Sequence, residues 1–196
     1  MKTLKISSKN YRKAIKETTE AIKQGKVVVC PTDTIYGLIA DATNKKAVEK
    51  IFKIKKRTKT KPVPIFVKDL RQAKKIAKIN KQQENFLELA WPGKTTAVLE
   101  RKKIKTNLYG IKKKTIGLRV PDYKLIKGLF KKIKHPLVET SVNISDQPPI
   151  TKIEKIIRHF KNKKLQPDLI INAGNLKLSQ PSLVIDLIQG FQILRS

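Results

Sequence analysis

A basic triplet and a distant polar pair are the residues of this chain best suited to chemistry on an anion. Residues 55–57 are Lys-Lys-Arg and end a helix-patterned run, while residues 141–143 are Ser-Val-Asn and follow the strand-like run 137–140. Lysine supplies a compact cation, arginine a planar fork that suits carboxylate and phosphate, and serine and asparagine supply hydrogen bonds. Cations at the end of one element and polar groups at the end of another predict a shared anion site.

Two further segments place polar groups beside apolar runs. Arg119 interrupts the strand-like run 115–120, so it needs either a bound anion or an internal salt bridge. Residues 31–38 (Pro-Thr-Asp-Thr-Ile-Tyr-Gly-Leu) follow the apolar run 27–30 and offer hydroxyl groups beside a glycine. Ligands bind at strand ends in α/β folds, although the same residues are typical of an ordinary turn.

Plainer interpretations of the triplet and of the polar pair stay open. A basic loop in a lysine-rich chain can simply be solvated, and the side chains of Ser-x-Asn can cap a turn. The sequence contains no Gly-x4-Gly-Lys-Ser/Thr and no Gly-x-Gly-x-x-Gly, so the common nucleotide-binding folds are not indicated. Its two histidines and one cysteine have no metal-ligand spacing, so no metal-binding residue is predicted.

The charge of the chain is strongly positive. The formal net charge is +30, from 45 lysines and arginines against 15 aspartates and glutamates. Such a chain attracts polyanions, and contact with RNA or tRNA is compatible with it. The lysines are spread along the whole chain rather than gathered in a tail. Charge alone therefore does not establish RNA binding.

The pattern of apolar residues predicts the elements that position these groups. Helices are predicted at about 10–24, 47–55, 70–79, 82–90, 123–133 and 151–160. Strands are predicted at 27–30, 63–67, 95–99, 115–120, 137–140, 169–172, 183–187 and 192–194. Intermixed helices and strands indicate an α/β protein, and the length suits a single domain over residues 1–196.

Composition also bears on the compartment. No apolar stretch approaches the roughly 18–20 residues that cross a membrane, and the N-terminus lacks the apolar region of a signal peptide. Cys30 is the single cysteine, which excludes an internal disulfide and fits a reducing compartment. Its apolar surroundings predict a small buried residue rather than a nucleophile. We therefore expect a cytoplasmic protein with no membrane partner.

Taken together, these segments resemble the YrdC-like family of threonylcarbamoyl-AMP synthases. The resemblance runs from about Val27 to Arg195 and covers most of the chain. Its landmarks are Pro-Thr-Asp-Thr-Ile-Tyr-Gly-Leu (31–38), Lys-x-Arg (55–57), Lys-Pro (61–62), Trp-Pro-Gly (91–93), Arg-Val-Pro (119–121), Ser-x-Asn (141–143) and Pro-Ser-Leu-Val-Ile-Asp-Leu (181–187). Their order and spacing are far more specific than any one of them.

The resemblance implies a single-domain YrdC-like α/β fold, a twisted mixed sheet flanked by helices. It implies an enzyme that makes L-threonylcarbamoyl-adenylate from L-threonine, bicarbonate or CO2, and ATP, with release of pyrophosphate. The product would pass to the machinery that transfers the threonylcarbamoyl group to tRNAs reading codons that begin with A, which is the t6A modification. Mg²⁺ is expected with the ATP.

The same resemblance implies roles for particular residues. Three basic residues would hold the triphosphate and the nascent carbamate, the first two of them catalytic: Lys55, Arg57 and Lys61. Three others would contact the nucleotide: Ser141, Asn143 and Arg195. The threonine site would consist of Arg119 for the carboxylate, with Thr34 and Ser182 orienting the amino acid.

The chain departs from the family pattern at a few positions. Val142 and Asp146 replace an alanine and a glycine of the usual Ser-Ala-Asn-x-Ser-Gly, and Asp146 would disfavour phosphate if it pointed inward. Phe66 stands where some two-domain relatives carry a histidine. The sequence ends just after Arg195, so we expect the short, single-domain type.

Two rival functions remain. One is a basic module of the same fold that binds double-stranded RNA or tRNA and performs no adenylate chemistry, which the spread of lysines favours. The other is a paralogue that uses the same site for another carbamoyl or acyl transfer. The arrangement of Arg57, Arg119, Ser141 and Asn143 argues against binding alone. The combination of Lys-x-Arg with Ser-x-Asn argues against the paralogue.

Overall fold

The computed structural model describes residues 1–58, 60–144, 149–176 and 179–195. Within them six helices flank one ten-stranded sheet. The helices are α1 (Tyr11–Lys23), α2 (Lys45–Lys55), α3 (Leu70–Ile76), α4 (Lys81–Ala90), α5 (Lys124–Phe130) and α6 (Ile153–Phe160). The strands are β1 (Lys2–Lys5), β2 (Val28–Cys30), β3 (Gly37–Asp41), β4 (Ile65–Phe66), β5 (Thr95–Glu100), β6 (Thr115–Arg119), β7 (Leu137–Ser141), β8 (Leu169–Asn172), β9 (Leu183–Asp186) and β10 (Gln192–Arg195).

The sheet is mixed, with the strand order β1-β8-β2-β3-β7-β4-β6-β5-β9-β10. β8 runs parallel to both β1 and β2, β4 runs parallel to β6, and β5 runs parallel to β9. The other neighbours are antiparallel. The predicted α/β class and mixed sheet flanked by helices are therefore confirmed.

Apolar residues alternate along the central strands because successive side chains point to opposite faces of a sheet. Val28 and Ile39 face one core, which α1 and α5 cover. Val29 and Leu38 face the other core, to which α2, α3, α4 and α6 contribute. Cys30 lies in the first core, fully buried, and burial raises the pKa of its thiol. The prediction of a small buried residue is confirmed.

Helices α1 and α5 approach closely at Gly128. A Cβ at this position would lie 2.5 Å from Ile15 Cδ1, closer than two non-bonded carbon atoms approach, so Ile15 would have to move. The two helices cover the part of the sheet around β8, β2 and β3. Farther along the same face, cavities open over β6, β5 and β9.

Most predicted elements are present, with two strands missed and several ends shifted. The helix predicted at 70–79 ends at Ile76, and the strand predicted at 63–67 is only Ile65–Phe66. β1 was not predicted, because this edge strand is mostly exposed and its sequence is Lys-Thr-Leu-Lys. β3 was not predicted either, since it begins at Gly37, in the segment 31–38 for which a turn was one of the two interpretations.

Candidate active site

The four polar segments singled out in the sequence meet at one cavity of about 260 Å³, called here the polar cavity. It lies where the loop after β2, the end of α2, and the strands β6, β7, β9 and β10 come together. Its lining consists of Thr34, Ile35, Arg57, Pro64, Arg119, Glu139, Thr140, Ser141, Asn143, Pro149, Pro181, Ser182 and Arg195. Of the nine predicted site residues, all but Lys55 and Lys61 contribute to this lining among the residues that the structure describes.

Lys55 joins the basic triplet to the Ser-x-Asn segment directly. It is the last residue of α2 and only 1% exposed. Its Nζ donates to the Ser141 carbonyl at 2.7 Å, to the Asn143 carbonyl at 3.0 Å and to Asn143 Oδ1 at 2.7 Å. The side chain thus fastens the turn after β7 to the end of α2, from behind the cavity wall.

Lys56 lets the two basic neighbours on either side of it point in different directions. Its backbone is left-handed, with φ of 49°, and its N–H donates to the Lys53 carbonyl. The Arg57 N–H donates to the Phe52 carbonyl at 2.9 Å. This helix-ending turn is usually made by glycine. It leaves Lys55 buried behind the turn and brings Arg57 to the cavity.

Arg57 is held by the loop that follows it. Its Nε donates to the Lys61 carbonyl and its Nη2 to the Pro62 carbonyl, each at 2.8 Å. Lys61 itself is exposed, and it contributes this carbonyl to the arrangement. The Lys-Pro landmark therefore supports the guanidinium that lines the cavity.

Arg119 is buried, with 2% exposure, and has an internal partner. Its Nη2 lies 2.7 Å from Asp33 Oδ1, its Nε donates to the Gly93 carbonyl at 2.9 Å, and its Nη1 lies 3.4 Å from Thr34 Oγ1. Phe66 packs beneath it, with the guanidinium carbon 5.6 Å from the ring centroid. Of the two alternatives weighed from the sequence, the salt bridge is present, and the guanidinium also borders the polar cavity.

Arg195 and Ser182 form the opposite wall. β10 folds back along β9, which brings the Arg195 guanidinium to the Ser182 carbonyl (2.7 Å) and to Ser182 Oγ (3.1 Å). Ser182 Oγ also lies 2.9 Å from Thr96 Oγ1. Burial lowers the pKa of Arg195, an effect that Glu139 opposes.

Glu139 is a charged residue of the cavity lining that was not predicted from the sequence. It lies on β7, is 9% exposed and lines the polar cavity. Burial raises the pKa of its carboxyl to about 6, although Arg119 and Lys55 pull that value down. The signal was present in the sequence, because Glu139 interrupts an apolar strand just as Arg119 does.

A second cavity of about 370 Å³, called here the side cavity, adjoins the first. The two share Arg57, Pro64 and Arg195. The floor of the side cavity is the sheet surface at Val98 and Gly117, and its remaining walls are largely apolar. Cations at a boundary between a polar and a more apolar space suit a ligand with an anionic centre and a ring.

The residues that depart from the family pattern lie in different parts of the protein. Val142 is fully buried in the core on the α2 side, so it extends that core rather than the cavity. Phe66 belongs to the core beneath α1 and α5. Asp146 lies outside the described residues, so its predicted effect on phosphate stays a prediction.

In 1–58, 60–144, 149–176 and 179–195, no group of three or more His, Cys, Asp or Glu side chains could hold a metal ion. Nor does any helix in these ranges have the length and apolarity needed to cross a membrane.

Known proteins resemble this chain in both sequence and structure. A threonylcarbamoyl-AMP synthase of Methanocaldococcus jannaschii, so named provisionally, is 33% identical over 187 residues, which cover 95% of this chain and 86% of that protein. The threonylcarbamoyl-AMP synthase of Pyrococcus abyssi is 31% identical over 174 residues, and the match spans half of its length. The crystal structure of P. abyssi Sua5 complexed with L-threonine has a TM-score of 0.80 at 28% identity, covering 95% of this chain and 54% of that one.

The family model for the Sua5, YciO and YrdC proteins, described as "Telomere recombination", matches residues 20–196. That range contains every landmark segment from 31–38 to 181–187, including those that contribute walls to the polar cavity. With this coverage and a relative one-third identical, the chain belongs to the Sua5/YciO/YrdC family.

Proposed function

We propose that this protein synthesises L-threonylcarbamoyl-adenylate from L-threonine, bicarbonate or CO2, and ATP, and releases pyrophosphate. One observation carries the proposal: the three residues expected to bind threonine and four of those expected to bind ATP line the same 260 Å³ cavity. The names of the M. jannaschii and P. abyssi relatives and the threonine bound to P. abyssi Sua5 support it.

The amino acid would occupy the polar cavity. A guanidinium already oriented by Asp33 and the Gly93 carbonyl is suited to a carboxylate, because Arg presents several donors in a fixed plane. We assign the threonine carboxylate to Arg119, with Thr34 and Ser182 orienting the rest of the molecule. Thr34 is 5% and Ser182 6% exposed, so both hydroxyl groups are shielded from bulk water.

The nucleotide would extend across both cavities. Arg57 and Arg195 stand at the boundary, where we place the phosphates, and Ser141 and Asn143 border them. The apolar walls of the side cavity, including Val184 and the Pro64 ring, would accept the base. This arrangement points the α-phosphate toward the amino-acid end.

The reaction requires two bond-forming steps. The threonine nitrogen bonds to the carbon of bicarbonate or CO2, giving a carbamate. A carbamate oxygen then bonds to the α-phosphorus while the bond from that phosphorus to the β-phosphate bridging oxygen breaks, and pyrophosphate leaves. Negative charge accumulates on the phosphates, so positioning and fixed cations such as Arg57 and Arg195 supply the catalysis.

Magnesium would enter with ATP. Mg²⁺ prefers oxygen ligands, keeps several waters and binds substrate phosphates in many such sites. Since the described residues contain no acidic cluster, we expect the phosphates and water to supply most of its ligands. Its charge would further neutralise the leaving pyrophosphate.

We also propose the cellular setting. The product is a reactive mixed anhydride, so we expect its transfer to a tRNA-modifying partner in the cytoplasm. The +30 net charge would assist an encounter with tRNA. An RNA-binding module without adenylate chemistry is not favoured, because its charge would not require a buried Arg119 with hydroxyl groups around it.

The decisive experiment is pyrophosphate release from ATP by the purified protein. We expect release only when L-threonine and bicarbonate are both present. Arg57→Ala should lower turnover by about 100-fold or more, whereas Lys53→Ala, which removes a charge from the exposed side of α2, should leave turnover unchanged. A folded protein that binds RNA but releases no pyrophosphate in response to threonine would overturn the proposal.

A further inference from the structure

Glu139 is a carboxylate inside a cavity otherwise built for anions. Four cationic side chains border or back this cavity: Arg57, Lys55, Arg119 and Arg195. A negative group at this position opposes phosphate binding, and a buried charge costs free energy unless it has a function or a partner. The neighbouring cations offset only part of this cost, since burial still raises the pKa of the carboxyl.

The fold reserves space for this side chain. Gly37 on β3 lies across from Ser141 on β7, two residues from Glu139 along the strand. A Cβ at position 37 would lie 2.5 Å from Glu139 Oε1 and 3.1 Å from its Cγ. The carboxylate consequently occupies a position that a Cβ at residue 37 would force it to leave.

Three of the surrounding cations donate hydrogen bonds to other acceptors. Arg119 donates to Asp33 and Gly93, Lys55 to the Ser141–Asn143 turn, and Arg195 to Ser182. Within the described parts of the chain, the Glu139 carboxylate makes no hydrogen bond to another residue. It lies in the cavity with its acceptor oxygens available to a ligand.

An amino acid supplies the missing donor. The carboxylate of a zwitterionic amino acid would pair with Arg119, and its α-ammonium group would need an anionic acceptor nearby. Carbamate formation adds a second requirement, since the ammonium group must lose a proton before its nitrogen can form a bond. A carboxylate is suited to both tasks when it is buried beside the reacting nitrogen.

We propose that Glu139 binds the α-ammonium group of the amino-acid substrate and accepts its proton as the carbamate forms. The proposal rests on the proposed function. With bicarbonate, the ammonium form of threonine and HCO3⁻ give the carbamate, one water and one proton. That proton goes to Glu139 and then to solvent, the new bond joins nitrogen to carbon, and a carbon–oxygen bond breaks to release the water.

The groups that face Glu139 set the pH range in which it can act. Burial raises the pKa of its carboxyl to about 6, Arg119, Lys55 and Arg195 lower it, and Asp33 raises it. Only the ionised carboxylate accepts a proton. Activity should therefore fall as the pH drops through about 6.

The kinetic test compares Glu139→Gln with Glu88→Gln, which removes the same charge from the exposed side of α4. Glu139→Gln should lower kcat for pyrophosphate release by about 100-fold or more and abolish the loss of kcat/KM near pH 6. Glu88→Gln should keep wild-type kinetics. Retention of wild-type kcat and of the acid limb in Glu139→Gln would overturn the proposal.

A binding test separates this proposal from the proposed function. Calorimetry would compare L-threonine with (R)-3-hydroxybutanoate, which lacks only the amino group. The wild type should prefer threonine, and Glu139→Gln should reduce that preference by about 10-fold or more, as expected for loss of a charged hydrogen bond.

This ratio decides the matter even if the protein releases no pyrophosphate. An unchanged ratio, or no threonine binding by the wild type, refutes the role of Glu139. A variant that keeps the ratio but needs more Mg²⁺ would instead assign the carboxylate to the metal, which also overturns the proposal.

Discussion

One face of the sheet is built in two different ways at its two ends. Around β8, β2 and β3 it carries Val28, Ile39 and Ile171 and is covered by α1 and α5. Over β6, β5 and β9 the same face carries Thr96 and Arg119 and opens into cavities. Strand alternation is the same at both ends, so the difference lies in what covers the strands.

The comparison separates two kinds of burial. At the covered end, removal of apolar surface from water stabilises the fold. At the open end, Arg119 and Glu139 are also nearly inaccessible, yet each carries a charge. A buried charge lowers the free energy of unfolding unless partners compensate it. The open end therefore positions its charged side chains at a cost in folding stability. Substitutions at the two ends should therefore separate activity from stability.

The largest effect is expected at Arg119. Arg119→Met should lower threonine-dependent pyrophosphate release by more than about 1,000-fold and the free energy of unfolding by about 3 kcal/mol, because Asp33 keeps a buried charge without its partner. The double variant Arg119→Met/Asp33→Asn should regain stability in urea titrations but not activity. Recovery of both stability and activity in the double variant would show that Arg119 does not bind the substrate.

At the covered end, Leu129→Ala should affect stability alone. Leu129 lies on α5 and is fully buried, so the change should lower the free energy of unfolding by about 3 kcal/mol through lost burial and a cavity. Leu89→Ala is the matched control, since Leu89 is 91% exposed. The KM for threonine should stay at its wild-type value in both, and a several-fold rise with Leu129→Ala would show that the two ends are coupled.

Glu139→Gln should stabilise the protein while inactivating it. The carboxyl has a pKa of about 6 in the folded protein against an ordinary value of 4.5, so the unfolded chain releases this proton first. Wild-type stability should then fall as the pH rises from about 4.5 to 6, and the variant should exceed it by about 1–2 kcal/mol at pH 8. Urea titrations at pH 4 and pH 8 measure this, and a lower stability of the variant at pH 8 would contradict it.

The smallest effect concerns the turn that separates Lys55 from Arg57. Lys56 has a left-handed backbone, so Lys56→Gly should raise the free energy of unfolding by about 0.5–1 kcal/mol with activity unchanged. Lys53→Gly, inside the same helix, should lower it by about 1 kcal/mol. Thermal unfolding of the two variants gives the sign of each change in the free energy of unfolding. If both changes have the same sign, the turn at Lys56 is not strained.

The sequence predicted the covered end better than the open one. Runs such as 27–30 and 169–171 are apolar throughout, and their burial follows from that pattern alone. Exposed β1 and glycine-initiated β3 lack this signal and were missed. At the open end the pairing of 55–57 with 141–143 was predicted, but not its form, in which Lys55 binds the turn and Arg57 faces the cavity.

The partners of buried charges could not be obtained from spacing. Asp33 and Arg119 are far apart in the chain, and only the fold brings Asp33 Oδ1 to 2.7 Å from the guanidinium. Glu139 was overlooked because a single glutamate in a short strand is compatible with an outward-facing position. Alternation along β7 assigns Glu139 to one face of the sheet, but it does not say what covers that face. That became clear only from the position of β7 between β3 and β4.

The contact between Gly37 and Glu139 has an evolutionary consequence. In a lineage that still carries Glu139, a side chain at position 37 would displace the carboxylate from its place, because the Cβ would lie 2.5 Å from the carboxylate oxygen. Once Glu139 is replaced by a shorter residue, position 37 can accept a side chain. A side chain gained there would then occupy the space that a glutamate at position 139 needs. The two positions should therefore covary among descendants of this protein, with the loss of Glu139 preceding the loss of Gly37 and being hard to reverse.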